Sequence, residues 1–218
     1  MQPNKKRRVA KKAPEISAYS VGGGPPSRLD FEKSLMFFHA YMYGPLQGKL
    51  RLYAARSVRA KGGVMSSDWE VFASILVGDL GTKLGVGIDL NGYEMKSAGP
   101  NASYEYQYHK NTGKQKLATD AEVGHLFFEY ADNLRRVDLR YAHGSRMTEF
   151  FQKWLAEYPD PYPQRYRKNV PYGWVKKNGV LLMTLIDGEV TYPNIVPPDP
   201  GSLPQSISAE DKDAEDKE

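Results

Sequence analysis

The chain has 218 residues, 40% of them hydrophobic, which suffices for one substantial core, and no run approaches the ~18 apolar residues of a membrane helix. There is no cysteine, and the four histidines (39, 109, 125 and 143) fall at no close metal-ligand spacing. Disulfide frameworks, thiolate zinc sites and cysteine nucleophiles are thereby excluded, and any metal site relies on oxygen ligands that suit magnesium, manganese or calcium better than zinc. The net charge of +4 hides an asymmetry: residues 1–12 carry +6 and residues 208–218 carry −4, which leaves +2 for the part between. That body permits a nucleic-acid partner without demanding one. No apolar block follows the basic N-terminus as a secretory leader requires, so a cytoplasmic protein with no membrane association is expected.

Residues 1–26 read as a basic disordered tail ending in "VGGGPP", and residues 196–218 as an acidic, proline-rich disordered tail. One folded domain is expected over 27–195, with no internal repeat. Within it, Ser27 is placed to cap a helix through about Tyr43, with Leu29, Leu35, Met36, Phe38 and Met42 as its apolar stripe. A second, more basic helix follows Pro45 and stops at Gly62-Gly63. "SDWEVFASILVGDLG" opens with a capping-box spacing, Ser67 and Glu70, and ends at glycine.

The period then changes to two. Residues 84–90 and 93–98 read as a hairpin, and 103–110 as a third strand whose Tyr104, Tyr106 and Tyr108 share a face that packs under a helix, with stacking on bases as the alternative. "NTGKQKLATDAE" reads as a polar loop, followed by two strands joined around Asp132-Asn133, with a helix over 120–131 as the alternative. "SRMTEFFQKWLAEY" is an amphipathic helix capped by Ser145, and "YGWVKKNGVLLMTLI" a second hairpin turning on Asn178-Gly179. The whole is α+β, a mixed β-sheet flanked by helices.

The stretch "GVGIDLNGYEMKSA" carries the chemistry. If Asn91 and Gly92 form the two-residue turn, Leu90 pairs with Tyr93, Asp89 with Glu94 and Gly87 with Lys96. One face then holds Ile88, Leu90, Tyr93 and Met95, and the other holds Asp89, Glu94 and Lys96. Opposed carboxylates repel unless something positive lies between them. Lys96 supplies part of that charge, and a divalent cation the rest. Two carboxylates, a hard cation and an ammonium suit phosphodiester hydrolysis. A solvated hairpin face, with Lys96 bridging both acids, is the competing interpretation.

A capped helix, a strand ending in Asp, a turn and a strand carrying Glu-x-Lys resemble the PD-(D/E)xK nuclease core of type II restriction endonucleases. The short gap between Asp89 and Glu94 is similar to the compact form found in the mismatch-repair nicking endonuclease. Ile88 stands where the family has proline. The resemblance spans about residues 67–142. It implies a restriction-endonuclease-like core, Mg²⁺ (with Mn²⁺ as a substitute) held by Asp89 and Glu94, and Lys96 as the water-positioning lysine. An acid from the preceding helix is implied as well: Glu70, with Asp68 and Asp79 as competitors. It further implies a bacterial homodimer cutting a palindromic site in double-stranded DNA. A non-catalytic nucleic-acid-binding protein and a structural or interaction protein are the rival classes.

Candidate DNA contacts are Arg51, Arg56, Arg59 and Lys61 on the second helix, Lys110, Lys114 and Lys116 after the third strand, and Ser145 with Arg146 at a helix start. The stretch from Pro161 to Gly179 interleaves Arg165, Arg167, Lys168, Lys176 and Lys177 with Tyr166, Tyr172 and Trp174, as a DNA-facing arm or a dimer contact does. Lys5–Arg8 resembles a nuclear-localisation signal, which a tether to DNA explains equally well.

Overall fold

A computed structural model describes residues 29–58, 64–78, 88–90, 92–109, 112–159 and 165–191. Both expected tails, the domain's outermost residues, and Arg59, Lys61, Asp79, Gly87, Asn91 and Lys110 lie outside these. Asp30, not Ser27, caps the first helix α1 (Phe31–Phe37), its carboxylate accepting from Lys33 N at 3.0 Å. The chain does not break at Gly44-Pro45. A π-helical turn, Phe38–Tyr43, runs straight into α2 (Gly44–Ala55), and Pro45 stands just past this widened turn, where Gly44 N–H reaches back five residues to the His39 carbonyl and the ordinary i→i−4 ladder is already interrupted. The second helix therefore ends at Ala55, ahead of the expected Gly62-Gly63.

Helix α3 (Ser66–Val77) starts after Met65 and stops at Gly78 in the left-handed conformation. The acid that accepts from its cap N–H is Asp68, at 3.2 Å, so the expected Ser67/Glu70 capping box is not formed and Glu70 is released from that duty. After it come β1 (Tyr93–Ala98), β2 (Tyr104–His109), α4 (Gly113–Asp120), β3 (Gly124–Tyr130) and β4 (Arg136–His143). A 3-10 turn, Gly144–Met147, leads into α5 (Thr148–Ala156), and β5 (Arg165–Val170), α6 (Tyr172–Asn178), β6 (Val180–Ile186) and β7 (Glu189–Thr191) complete the order.

Three expectations are corrected here. "GKQKLATD" is helix α4, not loop: Leu117 supplies a buried contact, and Lys116 and Asp120 pair one turn apart. "YGWVKKN" is α6, so Asn178-Gly179 ends a helix instead of turning a hairpin. The tight hairpin sits at Asp187-Gly188, both at positive φ, between β6 and β7. Ser145 lies inside the 3-10 turn, where its own N–H donates to His143 Nδ1 at 3.2 Å.

The architecture is α+β. A five-stranded mixed sheet has the order β1-β3-β4-β6-β7, and only β1 and β3 run parallel; β2 and β5 form a separate antiparallel ribbon. The sheet divides two cores. On one face α1, the π turn and α3 cover Met95, Leu126, Phe128, Val137, Leu139 and Leu185, with Trp69 stacked on Phe128 at 4.7 Å between centroids. On the other face Phe127 and Ala142 lie under the ribbon and α5, where Tyr104, Tyr106 and Tyr108 are all buried as the shared-face reading expected. Buried on both faces, β3 shows the near-continuous apolar run of a central strand. No helix among the described residues is long and apolar enough to cross a membrane.

Gly144 fixes how α4 meets the sheet. A methyl group there would sit 2.6 Å from the Ala121 carbonyl and closer still to that of Asp120, backbone atoms with nowhere to go. Gly144→Ala is therefore expected to cost about 1–3 kcal/mol, as overpacking does, and to lower the urea midpoint. An unchanged midpoint would show that this junction is loose.

Candidate functional site

Leu90 and Tyr93 are bonded to each other, N to O at 2.9 Å one way and 3.4 Å the other, the pairing that the Asn-Gly signal in the sequence predicts. Asp89 and Glu94 then meet across the hairpin through backbone bonds. Asp89 N–H donates to Glu94 Oε2 at 3.2 Å, and Asp89 Oδ2 accepts from Met95 N at 2.9 Å. These bonds fix both carboxylates in one orientation, which a solvated hairpin face would not require.

Because side chains alternate along β1, Met95 enters the apolar core while Glu94 and Lys96 point to the opposite face, toward α4 and the ribbon. Glu94 is only 1% exposed. Its Oε1 accepts from Lys96 Nζ in a short ion pair and from Lys116 Nζ at 2.6 Å. Lys96 also stands 3.7 Å from Asp89 Oδ2 and lies over the Tyr106 ring at 5.0 Å. Lys116 reaches Asp120 as well, at 2.9 and 3.2 Å, and Tyr108 Oη donates to Asp120 Oδ2 at 3.0 Å.

Beside Glu94 in the parallel register stands His125. Its Nε2 donates to the Asp120 carbonyl at 2.7 Å, so its Nδ1 is left to accept from Tyr106 Oη at 2.9 Å. Both ring nitrogens are satisfied in the neutral form, and neither faces a carboxylate. Its place is structural.

The electrostatics follow burial and pairing. Burial works to raise the Glu94 carboxyl, but the two ammonium groups outweigh it and hold the group at about 2. Burial likewise disfavours charge on Lys96, yet Glu94 and then Asp89 keep its ammonium charged well above the ordinary range. Asp89 is pushed up by burial, with Lys96 opposing and Glu94 adding. Glu70 is pushed up by burial and next by Asp89, which places it within Coulombic reach of the hairpin acids. Asp120 rises to about 6, through burial first and the charge of Glu94 second. With every group ionised, Glu70, Asp89, Glu94 and Asp120 face Lys96 and Lys116, four carboxylates against two ammonium groups, a balance of −2.

Asp89, Glu94 and Lys96 thus come together as the sequence suggested, with Glu70 within Coulombic reach of them. Lys116, expected among phosphate contacts, belongs to the cluster. Asp120 was not singled out, Tyr108 was expected only as part of a buried tyrosine face, and His125 only in a core or surface role. Once α4 is read as a helix, the Lys116/Asp120 spacing is a local signal; the place of His125 arises from parallel pairing and has none. Among the remaining candidates, Arg51 is exposed on α2 and Arg56 just past its end, Lys114 on α4, and Ser145 and Arg146 at the 3-10 turn.

Among the described residues no three carboxylate or imidazole groups form a ready-made cation cage. The donor pair Asp89 and Glu94 still fits a hard dication: it is all oxygen and fixed by backbone bonds, within a cluster whose formal balance is −2, and Mg²⁺ commonly takes one or two carboxylates while keeping several waters. No family model matches the chain, and no curated protein matches it in sequence.

The same groups set the response to acid. In the fold His125 stays neutral down to about pH 4 because burial opposes its charge, while the unfolded imidazole binds a proton from pH 6.5 downward. It therefore removes stability as pH falls through that window, on the order of 3 kcal/mol. Asp120 has the opposite sign, since its folded carboxyl takes a proton near 6 and its unfolded one near 3.8, so acid stabilises the fold through it. Glu94 contributes stability that is present above 4.5 and lost as pH falls toward 2. Urea unfolding of the wild type is expected to be level from pH 6.5 to 4.5 and to weaken steeply below. Asp120→Asn deletes the offset, so it should lose on the order of 3 kcal/mol between pH 6.5 and 4. A loss of that size in the wild type already at pH 5 contradicts the assignment of a neutral His125 offset by Asp120.

Proposed function

We propose that the protein is a Mg²⁺-dependent endonuclease of double-stranded DNA with a restriction-endonuclease-like core, a type II restriction enzyme acting in a bacterial cytoplasm. One observation carries this reading: Asp89 and Glu94 are locked side by side across a tight turn, with Lys96 bonded to one and 3.7 Å from the other. Asp89 and Glu94 would hold the cation, and Glu70, within Coulombic reach of both, is the candidate third acid. When bound, such a cation makes a water more acidic and neutralises charge developing at phosphorus.

The chain's own residues define the rest. Lys96 is held charged by its anionic partners, so at neutral pH it donates from Nζ and does not accept a proton. Its role is to orient the attacking water or a phosphate oxygen, not to deprotonate. Tyr106 and Tyr108, both buried, wall the lysines from water and lower the local dielectric, which strengthens each charge interaction.

Exposed cations for the DNA backbone are available on α2 and at its end (Arg51, Arg56), at the 3-10 turn (Arg146) and on the outer face of β5 (Arg165, Arg167). Reading a palindrome takes two copies. Helix α2 buries none of its own residues and shows Leu52 to solvent at 57%, which supplies an apolar surface for a second copy.

Incubation with plasmid DNA and Mg²⁺ is expected to give discrete fragments that disappear with EDTA. Glu94→Ala and Lys96→Ala should each lower the cleavage rate by about 10²–10³-fold while leaving DNA retention at low salt in place. Retention with no cutting by the wild type, at any dication, would convert the protein into a non-catalytic binder. A single nick per duplex would mark a nicking enzyme.

A further inference from the structure

Lys116 is bonded to two carboxylates at once, Glu94 at 2.6 Å and Asp120 at 2.9 Å. The first is a proposed cation ligand. The second, fully buried, belongs to no part of the hairpin. A second buried carboxylate in a cluster already surplus in negative charge raises the cost of folding unless it has a task, since each buried ion carries a desolvation penalty of several kcal/mol. Holding Tyr108 is too small a task, because a neutral acceptor at 120 would serve that hydroxyl equally well.

The geometry points to a charge exchange, resting on the cation site proposed above: Lys116 neutralises Glu94 while the site is free, and moves wholly onto Asp120 when a dication takes Glu94. Without a second anion, cation uptake would strand the Lys116 ammonium, buried and unpaired, against a like charge. Asp120 lies one helical turn along α4, already within bonding distance, so the exchange needs a side-chain swing and no backbone movement. Tyr108, donating to Asp120 Oδ2, keeps the receiving carboxylate oriented. Neither Lys116 nor Asp120 touches the reacting atoms in this account. They are positioning residues that set how readily Glu94 becomes a ligand.

A double-mutant cycle on the full chain tests this, with Mn²⁺ uptake measured by calorimetry in the absence of DNA. Asp120→Asn keeps the acceptor for Tyr108 but removes the fallback anion, and should weaken uptake by at least about tenfold. Lys116→Met removes the competitor for Glu94 and should tighten uptake. Plain electrostatics gives the same two signs, so the combination decides. If Asp120 acts through Lys116, then Asp120→Asn in the Lys116→Met background changes affinity by less than about threefold. An equal tenfold loss in both backgrounds overturns the exchange and leaves Asp120 as a distant charge; so does a change of like sign in the two single variants. Should Lys116→Met not fold, Lys116→Gln, which retains a hydrogen-bond donor, takes its place throughout the cycle. Absence of Mn²⁺ uptake by the wild type overturns the cation site itself, a result distinct from additivity.

Discussion

A carboxylate sealed from water and shared between two ammonium groups organises this molecule. Glu94 is 1% exposed and ionised, and an unpaired charge at that depth would cost several kcal/mol. The fold answers from two directions: Lys96 arrives from the same strand, and Lys116 from a helix that follows the next strand in sequence. The pairing therefore ties the edge strand β1 to α4, and α4 in turn to the ribbon through Asp120 and Tyr108. Removing one lysine would not merely delete a bond. It would leave a buried anion half-compensated, which is why such pairs are costly to break even where their net contribution to stability is small.

The sheet separates two kinds of chemistry. Its α3 side is packed with aromatic and aliphatic side chains that need no partners beyond contact: Trp69, Phe72 and Phe128 interlock face-to-face and edge-to-face. The opposite side places tyrosines against charges. Tyr106 and Tyr108 are buried, and their hydroxyls are satisfied by His125 and Asp120. Burial of those rings pushes both phenols far up, so they remain neutral donors at any working pH. A wall of neutral donors can surround a charged cluster without competing for its proton or its cation.

Much of this was legible in the sequence, for definite reasons. The Asn-Gly turn fixes a register by local dihedral requirements, so Asp89 and Glu94 could be set opposite one another without knowledge of the rest of the fold. The alternating tyrosines of β2 likewise announce a buried face. What stayed hidden depended on distance or on a competing signal. "KQKLATD" is as polar as a loop, and only its buried Leu117 and the i, i+4 charge pair make it a helix. Asn178-Gly179 carries the same turn signal as Asn91-Gly92, yet Pro171 and the residues after it nucleate a helix first, and the hairpin moves to Asp187-Gly188. His125 could be matched to Glu94 only through parallel pairing across an intervening ribbon strand and helix, which no local rule specifies.

Two electrostatic regimes follow from these positions. Exposed cations such as Arg51, Arg56 and Arg146 are screened over about 8–10 Å at physiological salt, so any attraction they exert on a polyanion weakens as salt rises. The ion pairs of Glu94 are buried, closer than three ångströms where Lys116 is concerned, and largely beyond the reach of that screening. On the nuclease reading proposed above, encounter with DNA and assembly of the reacting groups are consequently governed by separate sets of charges. Salt then acts on the first, whereas only a ligand that enters the cluster, as a dication would, acts on the second. The surplus of −2 makes that second response selective for charge, since a monovalent ion would leave the cluster anionic and a dication brings it to balance.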